Sequence, residues 1–332
     1  MTTARQWYRH RYHSPLSLRM VFATIPRLPR VMHPPIALLT AAVFFALLGA
    51  ERRAVLRNLR VIRGGPGWRL WWPAYLVFYT FCDFIVSYCF VPRASPDALV
   101  SMLSDPERGS STIDACLAEG RGLVVWTAHV ANTEFASRLL ELHHRPVNVA
   151  RVVEPGNPAE AWLRDLMANE RLRVVDLSDP VATVQLLHAL RAGEIVAMQG
   201  DRVFRGAGAG VTFFGRPARF PVGPFHLARA AGVPVLPGLV VRTGWLRYRM
   251  IVGSPLHLDA SEPRDVAVLG ALEQAVAFLE EHLRRWHGQW LNFYDFWPPA
   301  PPSEALAQAP PAPPVRTVAA RRASCPDAPP SR

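Results

Sequence analysis

The sequence predicts an α/β fold: a largely parallel mixed sheet flanked by helices, preceded by an N-terminal hydrophobic helical membrane-anchoring region. Short apolar runs alternate with helix-period segments from Ser95 to Trp297, the pattern that builds a layered sheet-and-helix domain. Three of those apolar runs end in polar side chains, at His129, Arg151 and Asp201-Arg202. The first 72 residues carry twelve arginines against one acid, Glu51, wrapped around an apolar run.

That run, Ile36 to Ala50, has 15 residues, against the roughly twenty that span a bilayer. A short span, a re-entrant or interfacial helix and a buried helix are all open to it. An anchor that keeps the rest of the chain on the cytoplasmic side is the expectation. It starts late and ends in Glu51-Arg52-Arg53, which does not fit a cleaved signal peptide. The following stretch, RRAVLRNLR at 52–60, reads as a helix with a basic face. Trp68, Trp71 and Trp72 introduce a second apolar segment, Ala74 to Val91, and aromatic clusters of this kind suit a membrane interface. Asp83 lies inside it, so an amphipathic or core-packed helix is expected in place of a second crossing. Three parts follow: a basic membrane-associating region at 1–94, a catalytic domain at 95–297, and a proline- and alanine-rich tail at 298–332 expected to be disordered.

Within the middle part, helices are expected at 96–104, 112–118, 158–169, 181–191, 224–231 and 264–286. Strands are expected at 123–126, 146–151, 172–177, 194–199 and 233–241, with an edge strand at 248–252. The chain carries a net charge of +11, and all of its basic residues other than histidine are arginine. No nucleic-acid module accompanies the basic arm, and its interleaved apolar residues favour a membrane partner over nucleic acid. The cysteines Cys82, Cys89, Cys116 and Cys325 have no metal-ligand spacing and form no disulfide pattern, so no metal is expected.

The chemistry concentrates at RGLVVWTAHVANTEFASRLLELHH, 121–144, where a buried strand gives way to a helix with Asn132 or Thr133 as N-cap. A histidine there can act as general base, and a carboxylate on the next turn can orient it, so His129 and Glu134 form a candidate dyad. If the strands run parallel, their polar ends share one rim, which brings Arg151, Asp201 and Arg202 towards His129.

HVANTE, the Ala150-Arg151 pair, GDR at 200–202, FFGRPA at 213–218 and QWLNFYDFW at 289–297 resemble, in this order, the bacterial lipid A biosynthesis (late, or secondary) acyltransferases. These are related to the H-x4-D/E glycerolipid acyltransferases, whose fold the reading then shares. The resemblance runs from about Arg52 to Trp297, and within it Arg53 to Leu59 resemble the family's segment after its N-terminal hydrophobic helix, the alternative to a solvated basic helix face. It implies transfer of a fatty acyl chain from a thioester, acyl carrier protein or acyl-CoA, to a hydroxyl of a glycolipid such as a lipid A precursor, with no cofactor. It also implies a site at the bacterial inner membrane, facing the cytoplasm. His129 would take the hydroxyl proton and Glu134 would orient His129, while amides near Asn132, or Arg151, would hold the oxyanion. Arg171 also falls at a position resembling a family arginine, as a phosphate ligand or as an ordinary helix-end cation. Asp201 would bind acceptor polar groups, lock Arg151, or serve as a turn residue. Arg202 departs from the glutamine expected after the aspartate, which leaves the acceptor open. Phe213, Phe214 and Phe220 read as core ahead of acyl-channel lining, and Trp290 and Trp297 as structural anchors. The glycine-rich 206–224 segment lacks the Lys-Ser/Thr of a phosphate loop. Other acceptors (a phosphatidylinositol mannoside, an aminolipid, a polyene metabolite) and a non-catalytic membrane lipid-binding protein are the alternatives; the missing G-x-S-x-G elbow disfavours a serine hydrolase.

Overall fold

The computed structural model describes residues 15–105, 109–118, 120–153, 166, 169–203 and 208–297. The tail from 298, and all but two positions of the helix expected at 158–169, lie outside them. Six strands form the main sheet: β1 (Leu123–Thr127), β2 (Val147–Arg151), β3 (Leu172–Asp176), β4 (Ile195–Gln199), β7 (Val235–Gly244) and β8 (Arg247–Val252), in the order β3-β2-β4-β1-β7-β8. β1 is parallel to both β4 and β7, β2 is parallel to β3 and β4, and β8 closes the edge antiparallel to β7. The expected mixed, largely parallel sheet is therefore present.

Both sheet faces are covered, as parallel strands require. Alternation along β1 sends Val124 and Trp126 to one side, into a core shared with α8 (Ala182–Arg191), α9 (Gly223–Ala231) and α10 (Arg264–Trp286). Leu123 and Val125 point the other way, towards Ile113, Cys116 and Leu117 of α6 (Ser110–Ala118) and Leu140 of α7 (Thr133–Leu140). The glycine-rich segment contains an unexpected hairpin, β5 (Ala209–Phe213) with β6 (Arg216–Phe220). Its two-residue turn has Phe214 and Gly215 both at positive φ, 50° and 69°, the geometry that matches strand twist. Phe214 is a costly residue there, and the Glu280 carboxylate accepts its N–H at 2.7 Å. Phe213 and Phe220 are fully buried against Trp290, Phe296 and Trp297, so these two phenylalanines are core.

The N-terminal helices α1 (Pro15–Thr24), α2 (His33–Leu47), α3 (Gly49–Arg63) and α4 (Trp71–Ser87) precede α5 (Pro96–Ser101). The expected apolar segments become α2 and α4, and burial separates them. Of the apolar stretch Arg30–Leu47 that contains α2, 17% is buried, whereas 67% of the most apolar 18 residues within Gly67–Arg93, around α4, is inside the protein. Ala37 and Ala41 let α2 approach α4 closely, leaving Leu38, Leu39, Val43, Phe44 and Leu47 on the outside beside exposed Trp68, Trp71 and Trp72. Asp83 of α4 points inward, 3.6 Å from the guanidinium of Arg242 on β7. Burial still pushes its carboxyl up to about 6, Arg242 partly opposing. An inward Asp83 is what makes α4 a core-packed helix.

Candidate active site

The site forms where β1 and β4 end. They pair in register, Thr127 opposite Gln199, and the Gly200 N–H donates to the Thr127 carbonyl at 2.8 Å, extending the ladder by one step. His129 and Asp201 each lie two residues beyond those partners, so the register itself puts them face to face. No side chain fits at Gly200, since an added Cβ would stand 1.8 Å from Nε1 of the fully buried Trp126. Beyond β1 the chain turns into α7 through Ala131 at φ 49°, an uncommon conformation for a residue with a Cβ. The Gln289 carbonyl holds it, accepting the Ala131 N–H at 2.9 Å.

Asp201 has no exposed surface and accepts three hydrogen bonds. Its Oδ1 lies 2.6 Å from His129 Nδ1; its Oδ2 accepts the His129 backbone N–H at 3.1 Å and the Trp290 indole N–H at 2.9 Å. Burial alone would raise its pKa, but His129, Arg202 and the Trp290 N–H hold the carboxyl down at about 2. Ionised, it can only accept, so Nδ1 of His129 carries the proton and Nε2 is the basic nitrogen. The His129 pKa is lowered, first by burial and then by the Arg202 charge, with Asp201 and Glu134 opposing. The imidazole is therefore neutral near pH 7, ready to take a proton.

Glu134, the expected partner of His129, lies in the first turn of α7 and is engaged elsewhere. Its carboxylate accepts hydrogen bonds from the Tyr88 hydroxyl and, at 2.7 Å, from the Thr133 hydroxyl, and stands 3.9 Å from the Arg151 guanidinium. Arg151 closes β2 on the same rim. Asn132 is the N-cap of α7, its Oδ1 accepting the Phe135 N–H at 3.0 Å. Its Nδ2 donates to Ser87 at 2.7 Å and Tyr248 at 3.1 Å, so this buried side chain builds the rim from within. Arg202 donates from Nε to Asn292 Oδ1 at 3.0 Å and from a terminal nitrogen to the Leu291 carbonyl at 2.7 Å. Arg171 does not join this group. It precedes β3, whose carboxyl end pairs with Arg151, and so sits at the opposite end of the sheet, roughly 16 Å away for a five-residue strand. There its guanidinium lies 3.2 Å from His144 Nδ1, beside a cleft of about 100 Å³ formed with Pro96, Leu99, Arg138, Glu141 and Leu142.

Segment 289–292 ties the two strand ends together. Besides the Trp290 bond, the Leu291 N–H donates to the His129 carbonyl at 2.8 Å, and Val130 bridges to Trp290. The sequence marks Trp290 as a structural anchor and gives no sign of Asn292 or Tyr88. The signal for Trp290 was chemical, because a buried indole N–H needs an acceptor.

A family model described as bacterial lipid A biosynthesis acyltransferase matches residues 20–297. The chain belongs to this family. Two curated relatives, the phosphatidylinositol mannoside acyltransferases of Mycobacterium tuberculosis strains CDC 1551 / Oshkosh and ATCC 25618 / H37Rv, are each 28% identical to it over 208 residues. The alignments cover 60% of this chain and 63% of each relative. All the rim residues described above lie inside the family match.

Proposed function

We propose that this family member is a membrane-associated O-acyltransferase that moves a fatty acyl chain from a thioester, carried by acyl carrier protein or coenzyme A, to a hydroxyl of a glycolipid. The observation that carries the reading is the neutral His129, held at Nδ1 by an ionised, buried Asp201 on the rim of a family sheet. In the proposed step, Nε2 of His129 removes the acceptor's hydroxyl proton as the oxygen bonds to the thioester carbonyl carbon. Asp201 stabilises the imidazolium that forms. The carbonyl π electrons move to oxygen; their return breaks the C–S bond, and the leaving thiolate takes the proton from His129. Arg151, oriented by Glu134 and at the end of the neighbouring strand, is the group we assign to the developing oxyanion or to an acceptor phosphate.

The acceptor class is glycolipid. The family description favours a lipid A precursor, and the names of the two relatives favour a phosphatidylinositol mannoside as a second reading. Location at the inner membrane is supported by the exposed apolar side of α2 and by exposed Trp68, Trp71 and Trp72 just before and at the start of α4, and the arginines of α3 favour the anionic cytoplasmic leaflet.

Mass spectrometry of membrane lipids tests the reading, using cells lacking the protein and complemented with the parent or with His129→Ala. One glycolipid should lose an acyl chain, and only the parent should restore it. Purified parent that acylates neither a lipid A precursor nor a phosphatidylinositol mannoside from an acyl carrier thioester would refute the assignment.

A further inference from the structure

The RRAVLRNLR stretch of α3, whose sequence fits a basic helix face and a family segment equally, lies 69 residues or more before His129. The arginines Arg53, Arg57, Arg60 and Arg63 are indeed exposed, but the opposite stripe, Ala54, Val55, Asn58, Leu59 and Ile62, is buried. Asn58 is the polar member of that stripe and 4% exposed. Its Nδ2 donates to the Tyr294 carbonyl at 2.8 Å and, more weakly, to the Asn292 carbonyl at 3.4 Å, while its Oδ1 accepts the Phe296 N–H at 3.0 Å. One buried amide thus satisfies three backbone groups of segment 292–296, which has no helix or strand of its own to do so. The residues just before that segment touch both members of the dyad: Trp290 holds Asp201, Leu291 holds the His129 carbonyl, and Arg202 is held by Leu291 and Asn292.

We propose that Asn58 is a positioning residue for the His129–Asp201 pair, acting through segment 290–296, so that α3 is part of the catalytic apparatus as well as a neighbour of the membrane-facing helix. The chain of contacts is continuous: Asn58 fixes the path of 292–296, that path sets the Trp290 indole and the Leu291 peptide, and those two groups fix where Asp201 and His129 stand. The function of the pair rests on the acyltransferase reading; its geometry does not.

The test uses the full-length protein in detergent micelles, with a fatty acyl carrier thioester and either a phosphatidylinositol mannoside or a lipid A precursor. Asn58→Ala should lower kcat about 10- to 100-fold, the effect of displacing a reacting group by a fraction of an ångström to an ångström, while donor KM stays within about threefold. Arg53→Ala, on the exposed side of α3, should change neither. Trp290→Phe removes the indole donor alone, and its loss should be non-additive with that of Asn58→Ala because both act on one contact chain. If Asn58→Ala does not fold, the isosteric Asn58→Asp takes its place in the same cycle. In parallel, ¹⁵N NMR of the His129 ring reads the tautomer without substrate, and the Nδ1–H form should lose population in the Asn58 variant. Folded variants with parental kcat, losses that simply multiply, or an unchanged tautomer would overturn the proposal. An inactive parent whose His129 tautomer nevertheless responds to Asn58 would overturn the reaction and leave the positioning intact.

Discussion

Asp201→Asn compared with Glu134→Gln decides which carboxylate serves His129. Asp201 accepts three hydrogen bonds at 2.6, 2.9 and 3.1 Å with no water contact. An asparagine oxygen can keep the two donors at the Oδ2 position, which turns the NH2 towards Nδ1. Two N–H groups cannot face each other there, so the imidazole shifts its proton to Nε2, the nitrogen required as base. With the tautomer wrong and the imidazolium without its counter-charge, the general-base contribution of about 10²- to 10⁴-fold in kcat should be lost. A second consequence concerns stability. The Asp201 carboxyl is lowered from 3.8 to about 2, so the native state gains about 2 kcal/mol that is full above about pH 4 and disappears as the pH falls through 2. The variant should lack that acid dependence. Glu134→Gln leaves one acceptor oxygen where there were two, so one of the Tyr88 and Thr133 hydroxyls must turn to accept from the new NH2, and it removes a charge 3.9 Å from Arg151. About fivefold loss is expected, the scale of a partly exposed ion pair. The assay is steady-state transfer from a radiolabelled acyl carrier thioester, with urea unfolding at pH 7 and pH 3 alongside. Near-parental kcat in Asp201→Asn with an inactive Glu134→Gln would refute the reasoning and restore the H-x4-E pairing.

Three further outcomes are expected. Gly200→Ala drives a Cβ into the Trp126 indole at 1.8 Å and should cost about 1–3 kcal/mol in urea unfolding while displacing Asp201; a parental unfolding midpoint and rate would contradict this. Arg202→Gln removes a cation that depresses His129, so the acid limb of kcat/KM should move to higher pH; a limb that stays or moves lower counts against Arg202 as the source. Leu39→Ser, Leu47→Ser and Trp72→Ser together remove side chains that are 69%, 74% and 65% exposed. At about 1 kcal/mol each, vesicle binding in flotation assays should weaken about 100-fold, and unchanged binding would remove α2 from the membrane contact.

Local patterning made much of the architecture legible. The runs that became the inner strands β1 and β4 were readable because strands buried on both faces are largely apolar, the others because short apolar stretches follow turn residues, and α10 because its stripe repeats over 23 residues. The β5-β6 hairpin was not, since its turn uses Phe214 where glycine or asparagine would announce it. At the site, His129 and Arg151 were visible as polar residues ending apolar runs. Arg171, singled out by its resemblance to a family arginine, lies at the amino end of β3, away from that rim.

The sequence by itself determined the layered α/β fold, the basic apolar N-terminal region, the motifs of an acyltransferase family, and a histidine at a strand-to-helix junction. Only the tertiary structure decided that His129 meets Asp201. Glu134 is five residues away in the chain and Asp201 seventy-two, and sequence distance favours the nearer carboxylate. Yet β1 and β4 lie side by side through crossover connections whose neighbour order no local pattern encodes, and their register places equal offsets opposite one another. Asn58 was hidden for the same reason: a single amide in an arginine-rich helix reveals its partners only once the segment after α10 has folded back over it.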